Sequence, residues 1–242
     1  MDWTTLEQNL RARTPGLMDA TGKYAVLVPL VEGEDGPALL YEVRAGSLRR
    51  QPGEVCFPGG KMEGSESPEE CALRETWEEL GIPPKSIQVL GRLDFIAHRA
   101  NFIMYPILAR VDRGAVDRMA PNPAEVGETF QIPLRHLMTH PPLEYNYTLL
   151  PSTDGNFPYE LIGIPRDYRW QPGGENVPVY PWEGRAVWGL TGRITRHLVQ
   201  LLQEMGNTPG EGRNSWGPIP CASRRGCFPL GRTPWPWGAL PP

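Results

Sequence analysis

The sequence is poor in the residues that mark disulfide-rich and zinc-binding proteins. It has four cysteines and four histidines among 242 residues. The cysteines stand at positions 56, 71, 221 and 227, a spacing that fits neither a disulfide framework nor a zinc site. The histidines show no ligand spacing either. We therefore expect reduced thiols and no structural zinc.

Long apolar runs and export signals are also missing. No stretch of 18 consecutive apolar residues occurs, which argues against a membrane-spanning helix. Residues 1–20 lack the apolar segment of a signal peptide. The net charge of −4 gives no general reason to expect nucleic-acid binding. These absences predict a cytoplasmic protein without nucleic-acid or membrane partners. They leave the oligomeric state open, a homodimer included.

Apolar segments of strand character divide the chain. They lie at residues 24–31, 38–44, 87–96, 102–111 and 126–134. The first two are separated by the turn-rich sequence EGEDGP, which predicts a hairpin. Mixed strands with a few helices predict an α/β or α+β sandwich.

Three domain segments follow from the composition. Residues 1–22 resemble a short amphipathic helix and extension, and residues 23–204 form the folded domain. Residues 135–139 resemble a helical turn, 140–182 look irregular, and 184–204 have the spacing of an amphipathic helix. The Pro-, Gly- and Trp-rich residues 205–242 are expected to be a disordered tail.

The helix with the clearest sequence signals spans residues 68–80. Ser67 is placed as its N-cap, Pro68 as its first residue and Glu70 as the capping-box partner. Gly81 supplies the C-terminal stop.

The charged face of this helix is the main chemical signal. At 100° per residue, three carboxylates share one face, those of Glu75, Glu78 and Glu79. The opposite face has Leu73, Trp77 and Leu80, through which we expect the helix to pack. Like charges at this spacing repel, and a hard cation such as Mg²⁺ or Mn²⁺ would reverse that repulsion. A solvated acidic face is the alternative.

The glycines before the helix favour the metal site. Gly59-Gly60 follows Phe57-Pro58 and permits close approach of the backbone, which could free a carbonyl for a metal. Gly60, Glu66 and the run Arg74-Glu75-Thr76-Trp77-Glu78-Glu79-Leu80-Gly81-Ile82 together resemble the Nudix box of the Nudix hydrolases. Thr76 departs from the pattern, which usually has an aliphatic residue there.

The resemblance implies an α/β/α sandwich with a mixed central sheet over about residues 20–204. It also implies metal-dependent hydrolysis of a nucleoside diphosphate linked to another group. The implied ligands of Mg²⁺ or Mn²⁺ are Glu75, Glu78, Glu79 and the Gly59 carbonyl.

The resemblance assigns further roles around the metal. Arg74 is expected to orient Glu75, and Glu66 to reach the metal through water. The general base varies in location within the family, so Glu79, Glu125 and Glu128 all stay candidates.

A second resemblance concerns the substrate. Residues 40–60 resemble the extra motif of the coenzyme A pyrophosphatase branch, with Arg44, Arg49, Gly53 and the Phe57–Gly60 run at its offsets. Tyr41-Glu42 and Gln51 depart from that motif. The expected substrate-binding residues are Arg44, Arg49, Arg50, Phe57, Gly59 and Gly60. If the arginines are not simply surface cations, they could bind the phosphates of coenzyme A.

The implied reaction splits coenzyme A or its thioesters into 3′,5′-ADP and (acyl-)4′-phosphopantetheine. One alternative is a Nudix pyrophosphatase that acts on ADP-ribose, NADH or a dinucleoside polyphosphate. Another is a Nudix module that senses a nucleotide without cleaving it, although such modules usually lose the box glutamates. A third is a partner-binding role centred on the tryptophans of the tail.

Overall fold

The structure is a computed structural model that describes residues 2–207. Within that range it has five α-helices and eleven β-strands. The helices are α1 (Trp3–Ala12), α2 (Pro68–Leu80), α3 (Arg113–Asp117), α4 (Leu134–Thr139) and α5 (Gly189–Asn207). The strands are β1 (Gly22–Gly33), β2 (Gly36–Arg44), β3 (Val55–Cys56), β4 (Gly59–Lys61), β5 (Ile87–Arg92), β6 (Ile96–His98), β7 (Phe102–Val111), β8 (Val126–Pro133), β9 (Leu143–Leu149), β10 (Gly173–Trp182) and β11 (Arg185–Val187). A 3-10 turn covers Pro84–Ser86.

The larger sheet is mixed and has β1 at its centre. Strand β1 forms the predicted hairpin with β2, closed where Gly33 faces Gly36. It pairs in parallel with β7 on its other side and also accepts the short strand β4. Strand β1 keeps this central position although it contains Pro29, which faces Ala109 of β7. The mixed sheet expected from the sequence is confirmed.

Two helices cover opposite faces of this sheet. The buried residues of α2 pack with Ala25, Leu27 and Leu40, which lie on one face. The apolar side of α5 packs with Val26, Val28 and other residues of the opposite face. Alternate residues of β1 therefore serve two cores, as the alternation of side chains along a strand requires. This arrangement is the predicted α/β/α sandwich.

A second sheet was missed by the sequence analysis. The segment 140–182, expected to be irregular, contains strands β9 and β10, which pair in antiparallel fashion over seven residues. Strand β11 continues this three-stranded sheet. The two pairing segments are separated by more than twenty residues of turns, so neither one alone shows its partner. The helix predicted over 184–204 begins only at Gly189, because residues 185–187 turn back to pair with β10.

The first and last helices can be compared with the predicted boundaries of the domain segments. Helix α1 lies in the expected N-terminal segment and has no buried residue. Helix α5 continues to Asn207, beyond the expected boundary at 204. The remainder of the predicted tail lies outside the described residues. No helix within residues 2–207 is long and apolar enough to cross a membrane.

Helix α2 has the predicted bounds and caps. The Ser67 hydroxyl accepts a hydrogen bond from the Glu70 backbone N–H, and the Glu70 carboxylate accepts one from the Ser67 N–H. Gly81 adopts a left-handed conformation at φ 67°, which an L-residue with a side chain adopts only with strain.

The predicted packing face of α2 is wrong in part. Leu80 is buried, but Trp77 is 51% exposed. The helix instead approaches the sheet through small residues, among them Ala72 and the fully buried Thr76. The Thr76 hydroxyl donates to the Ala72 carbonyl at 2.6 Å, so its burial leaves no unpaired donor. The helix is therefore rotated relative to the predicted packing, and this rotation directs the Glu79 carboxylate of the acidic face into the protein.

Candidate active site

The three carboxylates of α2 lie at different depths. Glu79 is buried, with 4% of its surface exposed. Its Oε2 accepts a hydrogen bond of 2.8 Å from the backbone N–H of Gly59. The Glu75 side chain is mostly buried, whereas that of Glu78 is 52% exposed. The acidic face therefore runs from the interior to solvent rather than lying flat on the surface.

The Gly59-Gly60 segment fits closely against these carboxylates. It forms part of β4, which pairs with Ala25 and Val26 of β1. A Cβ atom on Gly60 would lie only 2.2 Å from Oε1 of Glu75. The absence of a side chain at Gly60 is what allows the carboxylate and the backbone to approach each other.

Arg74 holds the outer part of the cluster together. Its guanidinium donates to Glu75 at 2.9 Å, to Glu78 at 3.0 Å and to both oxygens of Glu66 at 3.0 and 3.2 Å. These hydrogen bonds lower the pKa of Glu66 to about 2. The contact with Glu75 is the one expected of an orienting residue. The Glu66 carboxylate also accepts from the Glu63 N–H, so it is already fully engaged.

Replacing Arg74 with lysine tests the contribution of these ion pairs. Lysine keeps the charge but not the planar fork that reaches several carboxylates at once. We expect Arg74→Lys to lower the stability of the protein in EDTA by about 1 kcal/mol, since the three ion pairs are partly exposed and screened. The melting temperature should then be about 2–4 °C lower. Adding Mn²⁺ should raise the melting temperature of the variant by more than it raises that of the parent.

The matched control is Arg92→Lys, which changes an arginine that pairs with a single carboxylate of the same helix, Glu69. If Arg74→Lys has the melting temperature of the parent in EDTA and is stabilised equally by Mn²⁺, the ion pairs of Arg74 do not contribute to the stability of the cluster.

Glu42 is a further carboxylate of this site, and the sequence analysis did not assign it a role. It lies on β2 with 1% of its surface exposed. Its Oε1 accepts from the Cys56 thiol at 3.2 Å, while Oε2 is buried without a hydrogen-bond partner among the described residues. The available signal was a glutamate within the apolar run of residues 38–44, at a position where the resemblance already departs from its motif.

The electrostatics of the cluster favour a cation. Burial raises the pKa of Glu79, and the negative charge of Glu42 raises it further. Burial also raises the pKa values of Glu42 and Glu75. Several carboxylates thus face one another where water is scarce, and each destabilises the charged form of the others. Hard oxygen donors with excess negative charge are the ligand set that Mg²⁺ or Mn²⁺ prefers.

The carboxylates are not already arranged as a closed cage. Within residues 2–207, no three acidic, histidine or cysteine side chains converge closely enough to hold a metal ion as placed. In this structure the Gly59 N–H engages Glu79, and one nitrogen of Arg74 engages both Glu75 and Glu78. The donor types of the site fit such an ion.

Glu125 and Glu128, the two base candidates outside the helix, lie in different surroundings. Glu125 lies in the loop before β8, and its charge raises the pKa values of Glu42, Glu75 and Glu79. That loop is fixed to the end of α2, since the Asn122 N–H donates to the Glu79 carbonyl at 2.8 Å. Glu128 is exposed and forms an ion pair with Arg185 instead. Only Glu125 of this pair faces the cluster.

The residues expected to bind substrate divide in the same way. Arg44 lies beside the cluster, where its charge acts on Glu42 and Cys56, and its Nε is buried without a partner among the described residues. Arg49 and Arg50 are exposed in the loop that follows β2. The Phe57 side chain is 3% exposed and stacks on Tyr41 at 4.8 Å in the core, so its expected contact with substrate stays a prediction.

Comparison with known proteins identifies a matching family and similar curated proteins. A family model described as NUDIX domain matches residues 22–147. The chain is 32% identical over 192 residues to "Nudix hydrolase 3" of Caenorhabditis elegans, which covers 76% of this chain and 75% of that protein. It is 34% identical over 209 residues to human "Mitochondrial coenzyme A diphosphatase NUDT8", an alignment that covers 83% of this chain and 80% of that protein. It is also 34% identical over 134 residues to mouse "Peroxisomal coenzyme A diphosphatase NUDT7", covering 55% and 56%.

The family model spans more than half of the chain and includes α2, the glycine segment and β1. The sequence pattern, the depth of the carboxylates and these relatives lead to one conclusion: this chain belongs to the Nudix family.

Proposed function

We propose that the protein hydrolyses the diphosphate bond of coenzyme A or its thioesters, with 3′,5′-ADP and (acyl-)4′-phosphopantetheine as products. One observation supports this most directly. The Nε of Arg44 is buried beside the carboxylate cluster and has no hydrogen-bond partner within residues 2–207. Buried donors normally have a partner, and a phosphate oxygen of the substrate would supply one. The names of the mammalian relatives point to the same substrate class.

The reaction needs a cation, and Glu75, Glu78, Glu79 and the Gly59 carbonyl would hold Mg²⁺ or Mn²⁺. When bound, the cation neutralises the diphosphate and activates water. Glu79 is kept in place by the Gly59 N–H, and Glu75 by Arg74. Both are therefore positioned before the substrate arrives, which lowers the entropic cost of reaching the transition state.

The remaining steps belong to side chains around the cluster. Glu125 accepts the proton of the attacking water as the new phosphorus–oxygen bond forms. The bond from that phosphorus to the bridging oxygen breaks, and the leaving phosphate takes up the negative charge. Arg44 donates hydrogen bonds to the phosphates throughout. Arg49 and Arg50, which are exposed at the rim, would attract the phosphates by charge.

The assignment of Glu125 as the base makes a direct prediction. We expect Glu125→Gln to lower kcat by about 10²-fold or more, the usual contribution of a general base. Glu128→Gln should stay within a few-fold of the parent, because Glu128 is exposed and paired with Arg185. Steady-state kinetics of both variants at saturating metal would decide. Equal losses would remove the distinction, and a larger loss at Glu128 would reverse the assignment.

The substrate is tested with the full chain, coenzyme A and Mg²⁺ or Mn²⁺, with products separated by chromatography. We expect 3′,5′-ADP. Cleavage of ADP-ribose or NADH without cleavage of coenzyme A would replace the substrate but keep the reaction class. Nucleotide binding without any cleavage would favour a sensing module. The cytoplasmic location expected from the sequence stays a prediction, and the mammalian relatives named above are mitochondrial and peroxisomal by name.

A further inference from the structure

Strand β9 forms one edge of the three-stranded sheet. Among the described strands it is hydrogen-bonded only to β10, and the strand order is β11, β10, β9. All seven of its residues are exposed. One row of its backbone N–H and C=O groups therefore has no partner strand in the part of the chain that the structure describes, which is the feature that makes a sheet edge able to pair with another chain.

The apolar residues of β9 share one face of the strand, which is covered only in part: the Tyr147 hydroxyl donates to the Glu175 carboxylate, and Arg99 lies over the Tyr147 ring. Leu143, Tyr145, Tyr147 and Leu149 alternate along the strand and are 50%, 57%, 36% and 37% exposed. The other face is polar, and there Arg196 of α5 donates to the Glu144 carboxylate at 3.1 Å. Helix α5 also reaches the apolar face, where Arg193 pairs with Glu175, the β10 residue opposite Tyr147.

The devices that usually protect an edge strand are missing here. Proteins block such edges with lysine, proline or a bulge. The sequence LEYNYTL contains neither lysine nor proline, although proline occurs 28 times in the chain. Its pairing with β10 runs without a register shift. Its single charge, on Glu144, is already paired with Arg196. The edge is therefore long and regular, with one apolar face.

The sequence of β9 is symmetric in pattern about Asn146. If two copies of the strand pair in antiparallel fashion with Asn146 on the twofold axis, each Leu143 lies opposite the second copy's Leu149. Each Tyr145 then lies opposite the second copy's Tyr147. Glu144 lies opposite a threonine, so no like charges meet. Aromatic and aliphatic cross-strand pairs of this kind stabilise antiparallel sheets, and a twofold interface requires this self-complementarity.

We propose that β9 is a homodimer interface, in which two copies join their three-stranded sheets into one six-stranded sheet. The apolar contact rests on four side chains that are 36–57% exposed, a smaller surface than the roughly 800 Å² that one partner contributes to a typical stable interface. The dimer is therefore in concentration-dependent equilibrium with the monomer. It does not require the proposed reaction, so its test is independent of substrate.

Analytical ultracentrifugation of the full chain over a wide concentration range measures the equilibrium. We expect reversible dimerisation that Tyr145→Lys weakens at least ten-fold, because the substitution removes both aromatic cross-strand pairs and places two strongly hydrated charges at the interface. Tyr145→Phe should keep the dimer. Met18→Lys changes a residue that is 83% exposed elsewhere and serves as the control. Circular dichroism and thermal melting establish that each variant is folded.

A cysteine on the twofold axis tests the register. Asn146→Cys should give a disulfide-linked dimer under mild oxidation, because identical residues meet at the axis. Asn176→Cys, one strand further inside on β10, should not exceed the background from the native cysteines. A monomer at every concentration would overturn the proposal. So would a dimer that Tyr145→Lys leaves intact and Asn146→Cys does not cross-link.

Discussion

Glu79→Gln is expected to abolish turnover, with kcat reduced by on the order of 10³-fold or more, because a bound cation contributes several kcal/mol of transition-state stabilisation and each 1.36 kcal/mol is about tenfold in rate. The amide has nearly the shape of the carboxylate, and its oxygen can still accept the 2.8 Å hydrogen bond from the Gly59 N–H. What it lacks is the negative charge that a divalent cation needs from its ligands. The loss should therefore fall on metal binding and chemistry rather than on folding.

The stability of the same variant gives a second measurement. Burial and the charge of Glu42 raise the Glu79 pKa, so the charged form is unfavourable in the metal-free fold. Glutamine avoids that cost. In EDTA at neutral pH, Glu79→Gln should melt no lower than the parent, while the stabilisation that Mn²⁺ gives the parent should largely disappear.

The matched control is Glu160→Gln, an exposed glutamate whose side chain is 88% accessible. It should change neither activity nor the response to Mn²⁺. If Glu79→Gln keeps activity within a few-fold, or responds to Mn²⁺ as the parent does, the assignment of the catalytic cluster is wrong.

Alanine substitutions at the two adjacent glycines should have different consequences. At Gly60 the new Cβ would meet the Glu75 carboxylate, the far end of a flexible side chain, at 2.2 Å. The carboxylate can move aside at little cost in stability. Displacement of a catalytic group by about 1 Å can cost on the order of 10²-fold in rate. We expect Gly60→Ala to be folded and about 10²-fold slower.

At Gly59 the obstacle is backbone. A Cβ there would lie 2.3 Å from the Ala25 carbonyl oxygen and 2.6 Å from Cα of Val26, both in the central strand β1. Neither can move without disturbing the sheet, and overpacking of this kind typically costs about 1–3 kcal/mol or more. We expect Gly59→Ala to lower the melting temperature sharply or to prevent accumulation of folded protein.

Gly91→Ala is the control for both, because a Cβ at this strand glycine would meet no atom within 4 Å. Thermal melting and steady-state kinetics of the three variants separate the two roles. The interpretation fails if Gly60→Ala is unstable, or if Gly59→Ala melts with the parent and stays fully active.

Several elements could be predicted because their signals are local. Ser67, Pro68, Glu70 and Gly81 each interact within one turn of a helix end, so the bounds of α2 could be read residue by residue. The hairpin of β1 and β2 is similarly local, with only a short turn between its strands. The family pattern of glycine, arginine and glutamates is also contained in a single stretch of chain.

The depth of each carboxylate could not be predicted from the helix alone. A helical wheel ranks faces by hydrophobicity, and on that basis Trp77 should pack inward and Glu79 should face solvent. In the structure Trp77 is half exposed, and Glu79 is buried against the glycine segment. The donor that makes this burial tolerable, the Gly59 N–H, lies twenty residues away in sequence.

The sequence by itself determined the type of chemistry, because the box residues and their spacing are local and specific. Only the tertiary structure decided which residues meet: Glu42 and Glu125 join the cluster, Glu128 pairs elsewhere, and Phe57 is buried in the core. It also decided that the apolar residues of β9 stay partly exposed at a sheet edge. The physical reason is the same in each case. Contacts between distant segments depend on how the sheets pair and how the helices rotate upon them, and no local pattern of residue types specifies either.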